Sequence, residues 1–143
     1  MSTARSAARL AAVQALYQLE IAGADPGDVI HEFVEFRFAR EGEAQDEAFF
    51  ADLVHGVVKH QVEIDRALAG SLSESWTLAR IDSILRAGLR AAAYELIARA
   101  DVPAKVVIDE YVELARDFFD GDEPKFVNAV LDKLAREKRG AEF

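Results

Sequence analysis

The stretch "DVPAKVVIDEYVELARDFFDGDEPKFVNAVLDKLAREKR", residues 101–139, decides the fold of this chain. After Pro103, apolar residues recur at intervals of three and four in two neighbouring stripes, which predicts a helix that begins at this proline. A helix with so wide an apolar face is usually buried at the centre of a bundle. The polar segment "DGDEP", residues 120–124, separates it from a second helix. The residues of the two stripes are Val107, Tyr111, Leu114 and Phe118 in one and Ile108, Val112, Ala115 and Phe119 in the other.

Helical patterns also dominate the rest of the chain, and strand patterns are nearly absent. The polar stretch "REGEAQDE", residues 40–47, reads as a linker. The segment "SLSESWTLARID", residues 71–82, reads as a turn or short helical segment, and it holds the only tryptophan. The sequence therefore predicts one all-α domain over residues 1–143 with about six to seven helices. The predicted helices run from about Ser2 to Ile21, from Pro26 onward, from Phe49 to Gly70, from about Asp82 to Arg99, from Pro103 to Phe119, and from Asp122 toward Arg139.

Composition excludes several classes of protein. The chain has 143 residues, 51% of them hydrophobic, so it can bury a core without disulfides or metal ions. It contains no cysteine, which excludes thiol catalysis and cysteine-based zinc sites and fits a reducing cytoplasm. No apolar run approaches the roughly 20 residues that a membrane-spanning helix needs. We expect a cytoplasmic protein with no membrane partner.

The start of the chain allows two interpretations. Residues 1–19 are rich in arginine, serine and alanine and contain no acid, as in an organellar transit peptide. However, the helical pattern continues to Ile21 without a break or a small-residue cleavage site. This continuity favours a helix of the mature protein over a targeting segment.

Charge is distributed unevenly along the chain. The net charge is −9, which by itself argues against binding to nucleic acid. Residues 1–9 and 125–143 each carry a net charge of +2, whereas residues 10–124 hold ten basic and 23 acidic side chains. The pattern indicates either an ordinary acidic surface or two partners, a polyanion at the basic ends and a basic molecule on the acidic body.

No residue pattern points to catalysis. His55 and His60 lie five residues apart, about 140° around a helix, so they do not face a common metal ion. His31 is isolated from both, and the eight glycines are scattered instead of forming a phosphate-binding loop. Adjacent acidic pairs suit capping or solvation better than acid–base chemistry. We therefore predict a protein that is not an enzyme and binds no metal or cofactor.

Cations flank one aromatic residue at the start of the last predicted helix. Phe126 falls at the edge of the apolar stripe, and Lys125, Lys133 and Arg136 lie within about 100° of it around the helix. Basic side chains can neutralise phosphates, and an aromatic face can stack an unpaired base. The alternative is that Phe126 is an outlying core residue among solvated cations. Arg5 and Arg9, four residues apart on one helix face, allow the same two interpretations. The core residues of the last predicted helix are Val127, Val130, Leu131 and Leu134.

Four segments resemble one family in order and spacing: "ARLAAVQALYQLE", "LRAAAYEL", "DVPAKVVIDEYVELARDF" and "DEPKFVNAVLDKLA". They are similar to the bacterial transcription antitermination factor NusB across nearly the whole chain, most weakly over residues 25–75. The resemblance implies a fold of two small helical bundles and no catalysis. It further implies pairing with NusE, a small-subunit ribosomal protein, and binding of single-stranded boxA RNA in nascent transcripts. The complex would act on elongating RNA polymerase, notably in ribosomal RNA operons.

The resemblance also implies positions for two binding surfaces. The RNA surface would comprise Arg5, Arg9, Asp122, Lys125 and Phe126, with Lys133 added from the helix geometry above. Asp122 could cap its helix or accept hydrogen bonds from base amino groups. The NusE surface would include Tyr17, Ile21 and the start of the fourth predicted helix, where Asp82 stands.

Some positions depart from the family pattern, and other interpretations of the chain remain open. Where the family has N-terminal arginine pairs, this chain has Arg5-Ser6 and Arg9-Leu10. Where the family has acidic residues early in the fourth predicted helix, this chain has Arg80 and Leu85. The same bundle also resembles the RNA-binding domain that precedes the catalytic domain of ribosomal RNA cytosine methyltransferases. A helical adaptor with no RNA role is the third possibility.

Overall fold

Seven α-helices occupy the part of the chain that this computed structural model describes, residues 3–38, 46–73 and 76–143. No strand occurs in these ranges, which confirms the predicted all-α class. A π-helical segment, Phe33–Phe38, continues α2, and short 3₁₀ turns lie at Leu78–Arg80 and Gly140–Glu142. The helices are α1 (Thr3–Ala22), α2 (Pro26–Glu32), α3 (Glu47–Lys59), α4 (Gln61–Ser71), α5 (Ser83–Ala98), α6 (Ala104–Phe118) and α7 (Glu123–Lys138).

Helix ends follow the local signals in the sequence. Asp25 caps α2 by accepting hydrogen bonds from the backbone N–H groups of Gly27 and Asp28, and Pro26 occupies the first turn. Asp82 caps α5 in the same way, accepting from Ile84 at 2.9 Å. α1 ends before Gly23, whose φ of 64° suits a residue without a Cβ atom. These boundaries were predictable because each depends on neighbouring residues only.

α5 lies at the centre of the molecule. It contacts α1, α3, α4, α6 and α7, while α1 also packs on α3 and α6 on α7. The helices thus form two small groups that share α5, which confirms the two-bundle architecture. The largest fully buried apolar side chains include Phe50, Leu53, Ile64, Leu68, Leu89, Leu96, Leu131 and Leu134.

The helix predicted over residues 49–70 is wrong as a single element, because it consists of α3 and α4. His60 separates them with φ −109° and ψ 21°. The break costs no hydrogen bond there: the His60 N–H donates to the Gly56 carbonyl, and the His60 carbonyl accepts from Ile64. It turns the chain so that α3 packs on α1 and α5 while α4 packs on α5 and α7. One straight helix could not reach both sets of neighbours.

α3 and α5 approach each other closely at Gly56. A Cβ atom at this position would lie 2.2 Å from Cζ of Tyr94, far inside van der Waals contact. The Tyr94 hydroxyl donates a 2.8 Å hydrogen bond to Asp52 on α3. Burial and this bond to a carboxylate raise the pKa of Tyr94 to about 12. Gly56 is thus required for contact between the two helices.

Arg139, just past α7, caps the carboxyl end of α5. Its guanidinium donates to the backbone carbonyls of Glu95, Leu96, Arg99 and Val102 at 2.6–2.9 Å. The last carbonyls of a helix lack some of their partners within the helix. Arg139 adds to the backbone hydrogen bonds that Glu95 and Arg99 accept from the N–H groups of Arg99 and Val102. This contact ties the end of the described chain to its central helix.

A few predicted features lie outside the described residues. They are Ser2 at the start of the first predicted helix, Glu74 and Ser75 within residues 71–82, and residues 40–45 of the predicted polar link. Within the described ranges, none of the helices is both long and apolar enough to cross a bilayer.

Candidate nucleic-acid interface

A cleft of about 540 Å³ opens where α7 begins, between that helix, the start of α5 and the turn before it. We call it the aromatic cleft. It brings together three residues that the sequence had assigned to separate surfaces: Asp82, Asp122 and Phe126. The predicted RNA and partner surfaces therefore meet here. The residues that line the cleft are Trp76, Arg80, Ile81, Asp82, Leu85, Asp122, Glu123 and Phe126.

Two aromatic rings form the apolar wall of the cleft. The ring centroids of Trp76 and Phe126 lie 5.6 Å apart, with the planes tilted by 52°. Trp76 remains 45% exposed, while Phe126 is half-buried and packs against the core. Phe126 thus anchors α7 and still reaches the cleft. Sequence reasoning gave Trp76 no role, although a lone tryptophan in a polar turn was a usable signal.

Arg86 holds the turn that carries the cleft wall. Its buried guanidinium donates to the backbone carbonyls of Leu78 and Ile81 at 3.1 and 2.6 Å. The same group forms a close ion pair with Glu20 near the end of α1. One side chain therefore fixes the turn, the start of α5 and the end of α1 relative to one another.

Carboxylates lie at the polar edge of the cleft. Asp82 is occupied as the cap of α5, whereas Asp122, at the N-cap position of α7, makes no side-chain capping bond. The capping role suggested for Asp122 is therefore not used in this conformation. The Oε1 atom of Glu123 is buried without a hydrogen-bond partner among the described residues. A buried oxygen of this kind is costly unless it accepts a hydrogen bond.

The cations around Phe126 differ in availability. Lys125 and Lys133 are exposed, and neither forms an ion pair with another described residue. Arg136 is engaged: it pairs with Asp132 at 2.9 Å and lies 4.7 Å above the ring of Phe143. Among the cations that flank Phe126, the two lysines are therefore the ones available to an approaching phosphate.

Arg5 is half-buried and held by neighbours. Its guanidinium lies 4.5 Å from the ring centroid of Phe49 and pairs with Asp46 at 3.3 Å and Asp101 at 3.6 Å. Its side chain keeps about a third of its surface in solvent. A phosphate that binds Arg5 has to compete with these two carboxylates.

Arg9 is buried, with 3% of its surface exposed. Its guanidinium donates two 2.9 Å hydrogen bonds to Glu95 and one of 2.8 Å to Glu110. The Tyr111 hydroxyl donates to Glu95 at 2.5 Å, and Ser6 donates to Glu110 at 2.5 Å. The predicted contact between Arg9 and an RNA phosphate is thus not open in this conformation. Shared position on one helix face did not make Arg5 and Arg9 equally exposed.

Neighbouring charges shift the pKa of two residues in this buried network, Arg9 and Tyr111. Burial alone lowers the pKa of Arg9, but hydrogen bonds and charge from Glu95 outweigh it and leave that pKa raised. Burial, followed by the charge of Glu95, raises the pKa of Tyr111 well above its usual value. Arg9 therefore stays charged and Tyr111 neutral, which keeps the donors in place for Glu95.

The predicted RNA residues form two separated sites. α1 runs antiparallel to α5, because Arg9 meets Glu95 and Glu20 meets Arg86. Arg5 therefore lies near the carboxyl end of α5 and Phe126 near its amino end. At 1.5 Å per residue, the 16 residues of α5 span roughly 24 Å. An RNA strand has to span several nucleotides to touch both sites.

Two of the predicted partner residues, Tyr17 and Ile21, lie on one side of α1. Tyr17 is 39% exposed and Ile21 62% exposed, one helical turn apart. Below them, Val13 borders a shallow apolar groove with Ile84 and Gly88 of α5 and Phe118 of α6. An exposed tyrosine over an apolar groove is typical of protein interfaces.

No metal site accompanies these surfaces in the described ranges, where no three His, Asp or Glu side chains are grouped to hold an ion. His60 instead stacks on Tyr94, with ring centroids 6.4 Å apart. His31 and Glu35 lie 3.0 Å apart on an exposed helix face. The histidines therefore have packing or surface roles.

Comparison with known proteins gives one consistent match. A model of the NusB family matches residues 6–136. The transcription antitermination protein NusB of Caulobacter vibrioides is 55% identical over 140 residues, covering 94% of each chain. That of Maricaulis maris is 53% identical over 144 residues, covering 97% of this chain and 90% of the relative.

Solved structures agree with the sequence match. NusB of T. maritima superposes with a TM-score of 0.83 at 31% identity, covering 100% of this chain and 99% of the other. A crystal structure of the antitermination factors NusB and NusE in complex with dsRNA contains a chain that matches with a TM-score of 0.82 at 28% identity. That match covers 96% of this chain and 99% of the other.

Proposed function

The chain belongs to the NusB family of transcription antitermination factors, which are not enzymes, and from this membership we propose its partners and target. It pairs with a NusE-type ribosomal protein of the small subunit and binds single-stranded boxA RNA in nascent transcripts. It acts in the cytoplasm on the transcription elongation complex, notably in ribosomal RNA operons. The match over 94% of a relative's length favours this function over the methyltransferase-domain alternative.

One observation carries the RNA proposal: a half-buried phenylalanine stands beside a cation without an ion-pair partner among the described residues. Phe126 is fixed by its packing, so its ring can stack an unpaired base without first losing much side-chain freedom. Lys125 and Lys133 supply charge for neighbouring phosphates. Arg5 adds a second, partly shielded contact at the other end of α5.

The charge of the body explains why a basic partner is needed. The exposed side chains Asp109, Glu113 and Asp117 of α6 lie on the surface between Lys125 and the start of α1. Phosphates that cross this surface are repelled, and the net charge of −9 adds to the repulsion at long range. A ribosomal protein is usually basic, so its binding would offset the repulsion and supply further phosphate contacts.

Phe126→Leu tests the RNA function. Because leucine keeps apolar bulk at this position, we expect unfolding free energy to fall by less than about 1.5 kcal/mol. Loss of the aromatic face should weaken RNA binding by roughly 1–3 kcal/mol, the usual contribution of one stacked base. The measurement is titration of single-stranded boxA-like RNA in the presence of the NusE-type protein, beside thermal unfolding of the same variant.

The matched control is Phe36→Leu, which alters an exposed phenylalanine on another element. It should leave RNA affinity unchanged. If Phe126→Leu unfolds the protein while its folded fraction binds RNA normally, Phe126 is a core residue and the stacking role is refuted.

Tyr17→Ala tests the partner surface. Tyrosine is enriched among residues that dominate interface energy, so we expect the NusE-type protein to bind more weakly by 1 kcal/mol or more, roughly fivefold or greater. Calorimetric titration measures the affinity, and circular dichroism checks that helicity is retained. Val62→Ala, at a 74% exposed site on α4, is the control and should bind normally. Unchanged affinity for Tyr17→Ala would remove Tyr17 from the interface.

A further inference from the structure

Trp76 keeps a large exposed surface in the aromatic cleft. The indole leaves 45% of its surface in solvent although an apolar ring lies 5.6 Å away between centroids. An aromatic side chain that only filled the core would bury more of this area. The tilt of 52° between the rings leaves the free part of the indole facing the cleft as a flat wall with Phe126 at its side.

Carboxylates outnumber cations among the residues that line the cleft, where Arg80 is the basic one. Asp82, Asp122 and Glu123 place three carboxylates along its edge. Ionised carboxylates only accept hydrogen bonds, and they repel an anion. Asp122 is exposed, and its side chain makes no capping bond. Its carboxylate is therefore an accessible hydrogen-bond acceptor beside the aromatic wall.

We propose that the aromatic cleft binds one unpaired RNA base that carries an exocyclic amino group. The base stacks on Trp76 and contacts Phe126 at its side. Its amino group donates to the carboxylate of Asp122, in the way cytosine N4 donates to acidic side chains. Uracil presents carbonyl oxygens at these edges and is disfavoured. The proposal rests on the proposed function and adds to it a position-specific base preference.

The cleft is held in shape before any ligand binds. Arg86 fixes the turn next to Trp76 through the carbonyls of Leu78 and Ile81, and Phe126 is fixed by the core. Lys125 precedes Phe126 on α7 and is exposed, so it is placed to meet the phosphate of the bound nucleotide outside the cleft. The arrangement separates the two parts of a nucleotide: base to the aromatic and acidic wall, phosphate to the lysine.

Trp76→Leu is the first test, in complex with a tryptophan-free form of the NusE-type protein. Affinity for single-stranded boxA-like RNA should fall roughly 5- to 150-fold, as for loss of one stacked base. Trp76→Phe, which keeps an aromatic face, should retain most of the affinity. Because the chain has one tryptophan, its fluorescence in the unmodified protein reports the contact directly and should be quenched on RNA binding.

Base identity is tested with RNAs that carry one abasic site at each position in turn. When the missing base is the one that stacks on Trp76, the abasic RNA should bind the unmodified protein and the Trp76→Leu variant with equal affinity. That RNA cannot make the contact that the substitution removes. Uridine at that position should bind more weakly than cytidine or adenosine. Asp122→Asn should reduce the difference in affinity between cytidine and uridine, since an amide can also donate to a uracil carbonyl.

The outcomes separate this proposal from the broader function. If Trp76→Leu binds RNA as tightly as the unmodified protein while Phe126→Leu is weakened, no base lies on Trp76 and the RNA function stands. Unquenched fluorescence in an RNA-saturated complex overturns the proposal equally. If the unmodified complex binds no single-stranded RNA, the proposed function itself fails.

Discussion

Arg9→Met is expected to lower the free energy of unfolding by about 3–5 kcal/mol, the usual cost of removing one partner of a buried ion pair. Methionine keeps the apolar stem but leaves the carboxylate of Glu95, which has no exposed surface, without its cation. Glu110 loses a 2.8 Å hydrogen bond as well. Urea unfolding followed by circular dichroism measures the loss.

Arg5→Met is the matched control, because it changes the same side chain one helical turn away at a partly exposed site. Its ion pairs are longer and closer to solvent, so the loss should stay below about 1 kcal/mol. Adding Glu95→Gln to Arg9→Met should recover part of the stability, since the uncompensated buried charge disappears.

The same pair of variants decides how each arginine serves RNA binding. If Arg5→Met weakens RNA binding and folded Arg9→Met does not, Arg9 acts only through the fold. An Arg9→Met protein that is fully stable but weak toward RNA would contradict the buried arrangement and restore the direct contact that the sequence suggested.

Gly56→Ala should also destabilise the protein, by about 1–3 kcal/mol, as for other insertions into a packed site. The direction of this change in stability is informative, because alanine in a helix interior otherwise stabilises a protein by about 1 kcal/mol relative to glycine. Here the added Cβ atom would meet Cζ of Tyr94 at 2.2 Å, so the ring or the helix has to move. Displacing the ring would also break its hydrogen bond to Asp52. Thermal or urea unfolding measures the change.

Gly88→Ala supplies the control within α5, where an added Cβ atom meets nothing within 4 Å. This variant should gain stability of about 0.5–1 kcal/mol from helix propensity. Tyr94→Leu in the Gly56→Ala background should cost less than Tyr94→Leu alone, because the collision is then removed. Equal stability gains from both alanines would show that α3 and α5 are further apart than described.

Titration of Tyr94 gives a second readout of the Gly56 contact. Its pKa of about 12 lies above the unperturbed value of about 10, so the neutral form is stabilised in the folded state. That contribution is fully present below the unfolded pKa and is lost as pH rises through 12. In Gly56→Ala, tyrosinate absorbance should appear at lower pH if the ring leaves its site.

Elements fixed by neighbouring residues were predictable from the sequence. The apolar spacing after Pro103 and after "DGDEP" gave α6 and α7, and the caps Asp25 and Asp82 gave two helix starts. The edge position of Phe126 followed from the angle between residues on one helix. Each of these depends on contacts within a few residues along the chain.

Features fixed by distant residues were not predictable in the same way. Arg9 is buried because it pairs with Glu95 and Glu110, 86 and 101 residues away. A usable signal was Glu95 itself, a single acid inside the apolar run "AAAYELIA". Such an acid requires a buried partner, but the sequence does not say which arginine supplies it.

The aromatic cleft was missed for the same reason. Phe126 and Trp76 are 50 residues apart in the sequence, and the turn that carries Trp76 has no periodic pattern that sets its orientation. The break at His60 was also invisible, since apolar residues continue on both sides of it at helical spacing. The break is explained by contacts with distant elements, since α3 packs on α1 and α4 packs on α7.

The capping of α5 by Arg139 sets an order of events during synthesis on the ribosome. The carbonyl of Arg99, which accepts from the nearby Val102 N–H, receives its second hydrogen bond from Arg139, 40 residues further along the chain. At a synthesis rate of roughly 5–20 residues per second, this delay is about 2–8 s. Until then the end of the central helix lacks the hydrogen bonds from Arg139, which become possible only after α6 and α7 have been synthesised. The native core is therefore completed only when nearly all of the described chain has been made.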